Sequence, residues 1–167
     1  MSRQITIFKV GETLLGLDIL TVKEIHRHME LTPIPGAPKH LSGLMNLRGR
    51  IVTVVELSVC LHLEENDGEK ILLILKTDSE IRQYQQRGLL TDVSLGEDIV
   101  GLLINSMEDV LDVEDEDILP TPPNIGSVDR QLIQGVIKLE KELVLILDIN
   151  ALLERIVELT AVRDKSD

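Results

Sequence analysis

A run of carboxylates is the most conspicuous chemistry-bearing feature of the chain. The segment EDVLDVEDED, residues 108–117, carries seven of them, and clustered carboxylates could hold a divalent cation or act in acid–base catalysis. An EF-hand loop needs glycine at its sixth position and glutamate at its twelfth. Counted from Asp112, these positions hold Asp117 and Pro123. The run therefore predicts a solvated acidic face, with a metal-dependent enzyme as the competing hypothesis.

Histidine and cysteine are too sparse to predict a zinc site. His26 and His28 are two residues apart, His40 and His62 lie elsewhere, and Cys60 is the single cysteine. Zinc needs three or four converging ligands. The sequence also has no G-x-S-x-G, Walker or G-x-G-x-x-G motif. We expect no metal, no cofactor and no enzymatic activity, with Cys60 acting as a small buried hydrophobe.

The charge balance excludes several classes of partner. With 29 acidic and 17 basic residues, the formal net charge is −12. Residues 88–129 hold eleven carboxylates and no Lys or Arg, a composition that repels nucleic acid and anionic lipid. No apolar run approaches the ~20 residues of a membrane span, and the first ten residues lack a signal peptide's apolar segment. The sequence predicts a cytoplasmic protein with no nucleic-acid partner and no membrane insertion.

Two arginines interrupt an otherwise apolar stretch, GLMNLRGRIVTVVEL, at residues 43–57. Arg48-Gly49-Arg50 predicts a short hairpin connection in which glycine takes positive φ. A pair between Arg48 and the acidic Glu24 would stabilise the fold by only about 0–1 kcal/mol, against about 1.5–3 kcal/mol for one buried Val or Leu. Recognition of a partner is the better reason for the arginine, and an ordinary surface arginine on a turn is the alternative.

The elements that must position these residues are written twice. GETLLGLDILTVKEI from Gly11 matches GEDIVGLLINSMEDV from Gly96 at an offset of 96 − 11 = 85. LSGLMNLRGRIVTVVEL from Leu41 matches IQGVIKLEKELVLILDI from Ile133 at an offset of 133 − 41 = 92. Both matches run in the same order with glycines in register, which indicates an internal duplication.

Each copy predicts mainly β structure. Short alternating aliphatic runs separated by Gly and Pro turns favour small barrels or a sandwich. We expect approximate lobes at residues 5–70 and 71–150 within a single domain of residues 1–167, and exchange of strands between the lobes stays open. The segment ILTVKEIHRH could be a helix or a strand end. Residues 76–98 are polar and predict an extended loop or hairpin tip. DINALLERIVEL predicts a C-terminal helix over 150–160, with Asn150 available as its cap.

Several of these segments together resemble one family. GLDILTVKEI, TPIPGAPKHLSGLMNLRGRIVTVVEL, GLLINSMEDVL, PPNIGSVDRQLIQGV and LVLILDINALL are similar to CheW, the chemotaxis coupling protein, over about residues 5–155. The resemblance implies two SH3-like, five-stranded β-barrels. It also implies a non-enzymatic scaffold that joins the cytoplasmic tip of methyl-accepting chemoreceptors to the histidine kinase CheA. The receptor tip, a helical hairpin, would lie in a groove between the lobes, and the kinase regulatory domain would pack lobe against lobe.

The resemblance also implies which residues bind partners. Val22 and Glu24 of TVKEI, Gly43 of LSGLMNLRG and Arg48 of NLRG match family positions tied to partner binding, and at Gly43 a side chain would intrude on the groove. Arg50 is expected to face solvent. The chain departs from the family in having Thr53 where a proline is usual and in a longer segment at 76–95. The longer segment favours, as an alternative, an adaptor of a non-flagellar chemosensory pathway such as pilus motility. A second alternative is a CheW-like domain detached from a larger chemotaxis protein.

Overall fold

Ten β-strands in two sheets are the framework of residues 2–165, the part of the chain that the computed structural model describes, with side chains through residue 160. The strands, in chain order, are β1 (Ser2–Val10), β2 (Thr13–Asp18), β3 (Val22–His26), β4 (Leu41–Leu47), β5 (Arg50–Glu56), β6 (Ile71–Leu75), β7 (Ile99–Ile104), β8 (Ser106–Glu114), β9 (Ile133–Lys138) and β10 (Leu143–Leu147). The first sheet has the order β8-β1-β2-β10-β9 and the second β3-β6-β7-β5-β4. The fold is mainly β, with two five-stranded sheets, as predicted.

The two sheets are equivalent under the internal duplication. In each sheet one parallel pair joins strands of different copies, β2 with β10 and β5 with β7. Replacing β1, β2, β8, β9 and β10 by their repeat partners β6, β7, β3, β4 and β5 converts the first sheet order into the second. Each sheet therefore takes two strands from one copy and three from the other. The approximate lobes 5–70 and 71–150 do not coincide with the sheets, because each sheet draws strands from both sides of residue 70.

The sheets are open rather than closed barrels. The ladders leave β8 and β9 as the edges of the first sheet and β3 and β4 as the edges of the second. A single bridge, Thr32 with Leu44, links the segment after β3 to β4, and its repeat equivalent, Leu119 with Val136, links the segment after β8 to β9. Each predicted barrel is thus a sheet whose edges approach without a continuous ladder between them.

Alternation along the strands divides the core into three clusters. In β1, Ile5 and Ile7 lie in a small cluster enclosed by the first sheet, whereas Phe8 and Val10 lie in the large cluster between the sheets. The second sheet encloses its own small cluster around Leu72 and Ile74. Side chains in a strand point alternately to opposite faces, so both faces are buried over residues 5–8 of β1 and over all of β6.

A glycine in each sheet makes room for its inner cluster. A Cβ on Gly16 would lie 2.8 Å from Ile5 Cγ2, and one on Gly101 would lie 2.7 Å from Leu72 Cδ1. These two glycines are separated by the 85-residue offset of the repeat. Close packing inside equivalent sheets therefore explains this pair of in-register glycines, whereas Gly11 and Gly96 lie outside the strands and have positive φ.

Three α-helices complete the described part of the chain: α1 (Leu57–Cys60), α2 (Asp78–Gln86) and α3 (Ile149–Lys165). The prediction of an extended loop over 76–98 was wrong, because α2 forms there with Ile81 buried and a capping box between Thr77 and Glu80. The ambiguous segment 19–28 is a 3₁₀ turn followed by β3. No helix among the described residues combines the length and apolarity needed to cross a bilayer.

The C-terminal helix is confirmed, but its cap is a different residue. Asp148 Oδ1 accepts a hydrogen bond from Ala151 N at 3.1 Å, which makes Asp148 the capping side chain. The Asn150 side chain instead accepts a hydrogen bond from Ser94 N at 2.8 Å and donates one to Asp92 O at 2.5 Å. The predicted capping role of Asn150 was therefore wrong, and this side chain fixes the segment before β7 against α3.

Candidate partner-binding site

A tight hairpin turn presents Arg48 at the end of the second sheet. Leu47 pairs with Arg50, so the connection between β4 and β5 has two residues, Arg48 and Gly49. Their φ angles are 51° and 83°, and two positive φ angles are typical of a type I′ turn. Asn46 Oδ1 accepts a hydrogen bond from Gly49 N at 3.0 Å and supports the turn. A non-glycine residue in this backbone region is strained by about 1–2 kcal/mol.

Arg48 forms an ion pair across the sheet with Glu24. Arg48 Nη2 donates to both Oε1 and Oε2 of Glu24, each at 2.9 Å. Glu24 lies on β3 and Arg48 follows β4, and these strands are the opposite edges of the sheet. The Arg48 side chain is 65% exposed and that of Glu24 is 26% exposed. The pair expected from the sequence therefore exists, with its guanidinium facing outwards.

His26 is a third member of this group. Its Nε2 lies 2.5 Å from Glu24 Oε1. The hydrogen bond from His26 lowers the pKa of Glu24, the hydrogen bond and charge of Arg48 lower it further, and burial opposes both. From the sequence, His26 was expected only as a candidate metal ligand, and its contact with Glu24 was missed. The available signal was the i, i+2 spacing of Glu24 and His26 on a strand, which places both side chains on one face.

Val22 and Gly43, the other two predicted site residues, are packed against other parts of this chain. Val22 is partly buried and packs against the large cluster between the sheets. Gly43 has φ 152°, and a Cβ there would lie 2.7 Å from the carbonyl oxygen of Thr32. A side chain at position 43 would therefore collide with this chain's own backbone, at the bridge that links the segment after β3 to β4.

A cleft of about 470 Å³ lies beside the ion pair. Its walls are the segment after β3 and the end of β4, with Met29, Leu31 and Met45 as apolar lining and Glu30 and Asn46 as polar lining. Apolar anchors surrounded by polar groups are the arrangement that protein partners recognise. The structure thus brings together Glu24, Arg48 and His26 at the edge of a cleft of mixed polar and apolar lining.

The acidic run 108–117 and Cys60 lie outside this site. The 108–117 carboxylates lie on β8 and a 3₁₀ turn, mostly exposed. Within the described ranges, no three His, Cys, Asp or Glu side chains are grouped to hold a metal ion. Cys60 is fully buried in the large cluster between the sheets, and burial raises the pKa of its thiol to about 12. A thiol with such a pKa is a poor nucleophile at neutral pH.

Comparison with known families places the chain. The family model of the CheW-like domain matches residues 4–157. The chain belongs to the CheW family.

Several chemotaxis proteins named CheW match over most of their length. The chain is 29% identical over 152 residues to the chemotaxis protein CheW of Treponema pallidum, covering 89% of this chain and 81% of that protein. It is 28% identical over 149 residues to the CheW of Rhizobium meliloti, covering 89% of this chain and 86% of that protein. The structural comparison agrees: the crystal structure of the scaffolding protein TtCheW from Thermoanaerobacter tengcongensis matches with a TM-score of 0.73 and 25% identity, over 92% of this chain and 94% of that one.

Proposed function

We propose that this CheW-family chain is a non-enzymatic scaffold that couples chemoreceptors of the methyl-accepting type to the histidine kinase CheA. In this proposal it works in the cytoplasm and is recruited to receptor arrays at the membrane. Its partners are the cytoplasmic helical-hairpin tip of the receptor and the regulatory domain of the kinase. Val22, Glu24, Gly43 and Arg48 form the partner-binding site.

The ion pair of Arg48 with Glu24 is the observation that carries this proposal. The pair is exposed, so it stabilises the fold by no more than about 1 kcal/mol. Holding Arg48 at φ 51° costs about as much or more. Asparagine before Gly49 would suit a type I′ turn better. Since folding gains nothing clear from arginine at this position, a partner that uses the guanidinium is the best reason for it.

The geometry around the pair fits a contact with another protein. Glu24 accepts hydrogen bonds from two side chains and therefore holds the guanidinium in one orientation. A fixed planar guanidinium beside a cleft that exposes Met29 and Leu31 among polar groups suits a partner surface that carries a carboxylate and an aliphatic side chain. Gly43 would act on this surface indirectly, through the position of the Thr32 segment that lines the cleft.

The output pathway has a second candidate. The segment of residues 76–95, expected from the resemblance to be longer than is usual in the family, holds α2 and most of the connection to β7. An added structural element supports a partner outside the usual flagellar system, such as the kinase of a pilus-motility pathway. Co-purification with each CheA-type kinase of the same organism distinguishes the two candidates by which kinase is retained.

A pull-down with matched variants tests the proposed function. The baits are a receptor cytoplasmic fragment and a CheA kinase. We expect Arg48→Glu to lose binding to at least one bait, while Arg50→Glu, which makes the same charge change two residues away, retains it. Combining Glu24→Arg with Arg48→Glu should restore an ion pair with its two charges exchanged. The partner then meets a carboxylate where it met a guanidinium, so binding should not be restored. Equal binding by wild type and Arg48→Glu would reject the proposed site.

A further inference from the structure

A second groove lies between α3 and the end of the 76–98 segment. Its volume is about 550 Å³. Leu153 and Val157 contribute apolar lining from α3, and Leu95 and Val100 contribute it from the opposite wall. Val157 is 67% exposed, the most exposed large aliphatic side chain among the described residues. The groove shares no lining residue with the cleft beside Arg48.

Carboxylates that have no cationic partner among the described side chains line both walls of the groove. Glu154 and Glu158 lie one turn apart on α3 and so on the same side of the helix, and Asp98 lies on the facing wall. No ion pair or side-chain hydrogen bond to these three residues forms within the described part of the chain, although other carboxylates there are paired. An apolar groove lined by free carboxylates is complementary to a partner that combines aliphatic and cationic side chains.

The walls of the groove are held in place before any partner binds. Asp78, the first residue of α2, accepts hydrogen bonds from Leu95 N at 2.7 Å and Gly96 N at 2.9 Å. Asn150 of α3 binds the backbone of Asp92 and Ser94 on the same wall. A groove with fixed walls loses little conformational entropy on binding. The end of the 76–98 segment therefore builds one wall of the groove and is hydrogen-bonded to α3.

We propose that this groove binds a basic amphipathic helix of a partner protein. The aliphatic face of the helix would contact Leu95, Leu153 and Val157. Its lysine or arginine side chains would pair with Asp98, Glu154 and Glu158. Helix-in-groove binding of this kind uses apolar anchors at i, i+3, i+4 and i+7. The surface is additional to the proposed receptor and kinase contacts.

A designed peptide is the probe for the first experiment. It has about 20 residues, beyond the length at which isolated helices are marginal, with leucine at i, i+3, i+4 and i+7 and lysine alternating with alanine elsewhere. A matched peptide has glutamate in place of every lysine. Fluorescence anisotropy with the full chain should show binding of the lysine peptide, weakening as salt is raised, and none of the glutamate peptide. Failure of the lysine peptide to bind, or equal binding of both, would overturn the proposal.

Two double variants with the same change of net charge separate the groove from general acidity. We expect Glu154→Lys with Glu158→Lys to weaken peptide binding by about tenfold or more. Asp109→Lys with Asp112→Lys, at two exposed positions of β8, should weaken it by less than about threefold. Val157→Asp should also reduce binding, and its exposed position leaves folding intact. Equal effects of the two double variants on peptide binding would show non-specific electrostatic attraction and would overturn the proposal that the groove is the binding site. Loss of receptor or kinase pull-down in the groove variant would overturn its independence from the proposed adaptor site.

Discussion

Arg48 and Glu24 connect the two edge strands of one sheet through a pair of 2.9 Å hydrogen bonds to both carboxylate oxygens. No continuous ladder joins these edges, and the Thr32–Leu44 bridge is the backbone link between them. The pair thus fixes where an exposed cation stands relative to the cleft between the edges. The ion pair mainly positions the guanidinium. It adds little to the free energy of unfolding, because a pair this exposed is weak.

The ionisation of Glu24 should report this geometry directly. The pKa of Glu24 lies below its usual 4.5, chiefly because of the hydrogen bond from His26 and then because of Arg48. A lowered pKa adds stability that is present above pH 4.5 and is lost as pH falls through the folded-state pKa. Carboxyl ¹³C shifts in an NMR titration should show the midpoint rising in Arg48→Ala and rising more in His26→Ala. A midpoint unchanged in both variants would contradict the geometry.

Gly43 should be required by the fold of this chain itself. An added Cβ would lie 2.7 Å from the Thr32 carbonyl oxygen, so we expect Gly43→Ala to lower the free energy of unfolding by about 1–3 kcal/mol. Gly36→Ala is the control, because Gly36 also has positive φ but open space around its Cβ. Urea denaturation of both variants measures the difference. Equal losses would mean that backbone strain, and not the contact with Thr32, sets the requirement for glycine.

Cys60 should be inert in the native protein. Its side chain is fully buried and burial raises the pKa of its thiol to about 12, so almost no thiolate exists at pH 8. A thiol-reactive chromogenic disulfide should react with the native protein only at the rate of unfolding and should react quickly in denaturant. Fast labelling of the folded chain at pH 8 would revive a nucleophilic role for this residue.

His40 should make stability fall in weak acid. It is 2% exposed and its Nε2 lies 3.1 Å from Thr160 Oγ1 on α3. Burial lowers the pKa of His40 below 6.5, so the unfolded chain takes up a proton that the folded chain does not. The free energy of unfolding should therefore decrease as pH falls below about 6.5. Urea curves at several pH values should show a shallower decrease in His40→Gln; identical pH dependence in the variant would exclude His40 as the cause.

The sequence predicted the sheets, the duplication and the C-terminal helix because these depend on local patterns. Glycines in register, such as Gly16 and Gly101, mark positions where a side chain has no room. Pairing between distant strands has no such local signal, so the division into lobes at residue 70 did not match the sheets. The helix α2 was missed because only Ile81 of its nine residues is buried, although Thr77 and Glu80 were readable as a capping box.

The candidate site was predictable for a different reason. Glu24 and Arg48 lie 24 residues apart, and the resemblance to the CheW family, not periodicity, indicated that both bind partners. His26 needed only the strand assignment of β3 to be placed beside Glu24. The groove along α3 was not predictable, because it depends on how α2 and Asn150 position the connection to β7.

Arg48→Asn gives the most direct test of the claim that this residue serves a partner and not the fold. Asparagine keeps the type I′ turn with less backbone strain, so urea unfolding should show stability equal to wild type or greater by up to about 1 kcal/mol. In the same preparation, co-sedimentation of CheA with a receptor cytoplasmic fragment should fall by about tenfold or more. Unchanged co-sedimentation at unchanged stability would contradict the account.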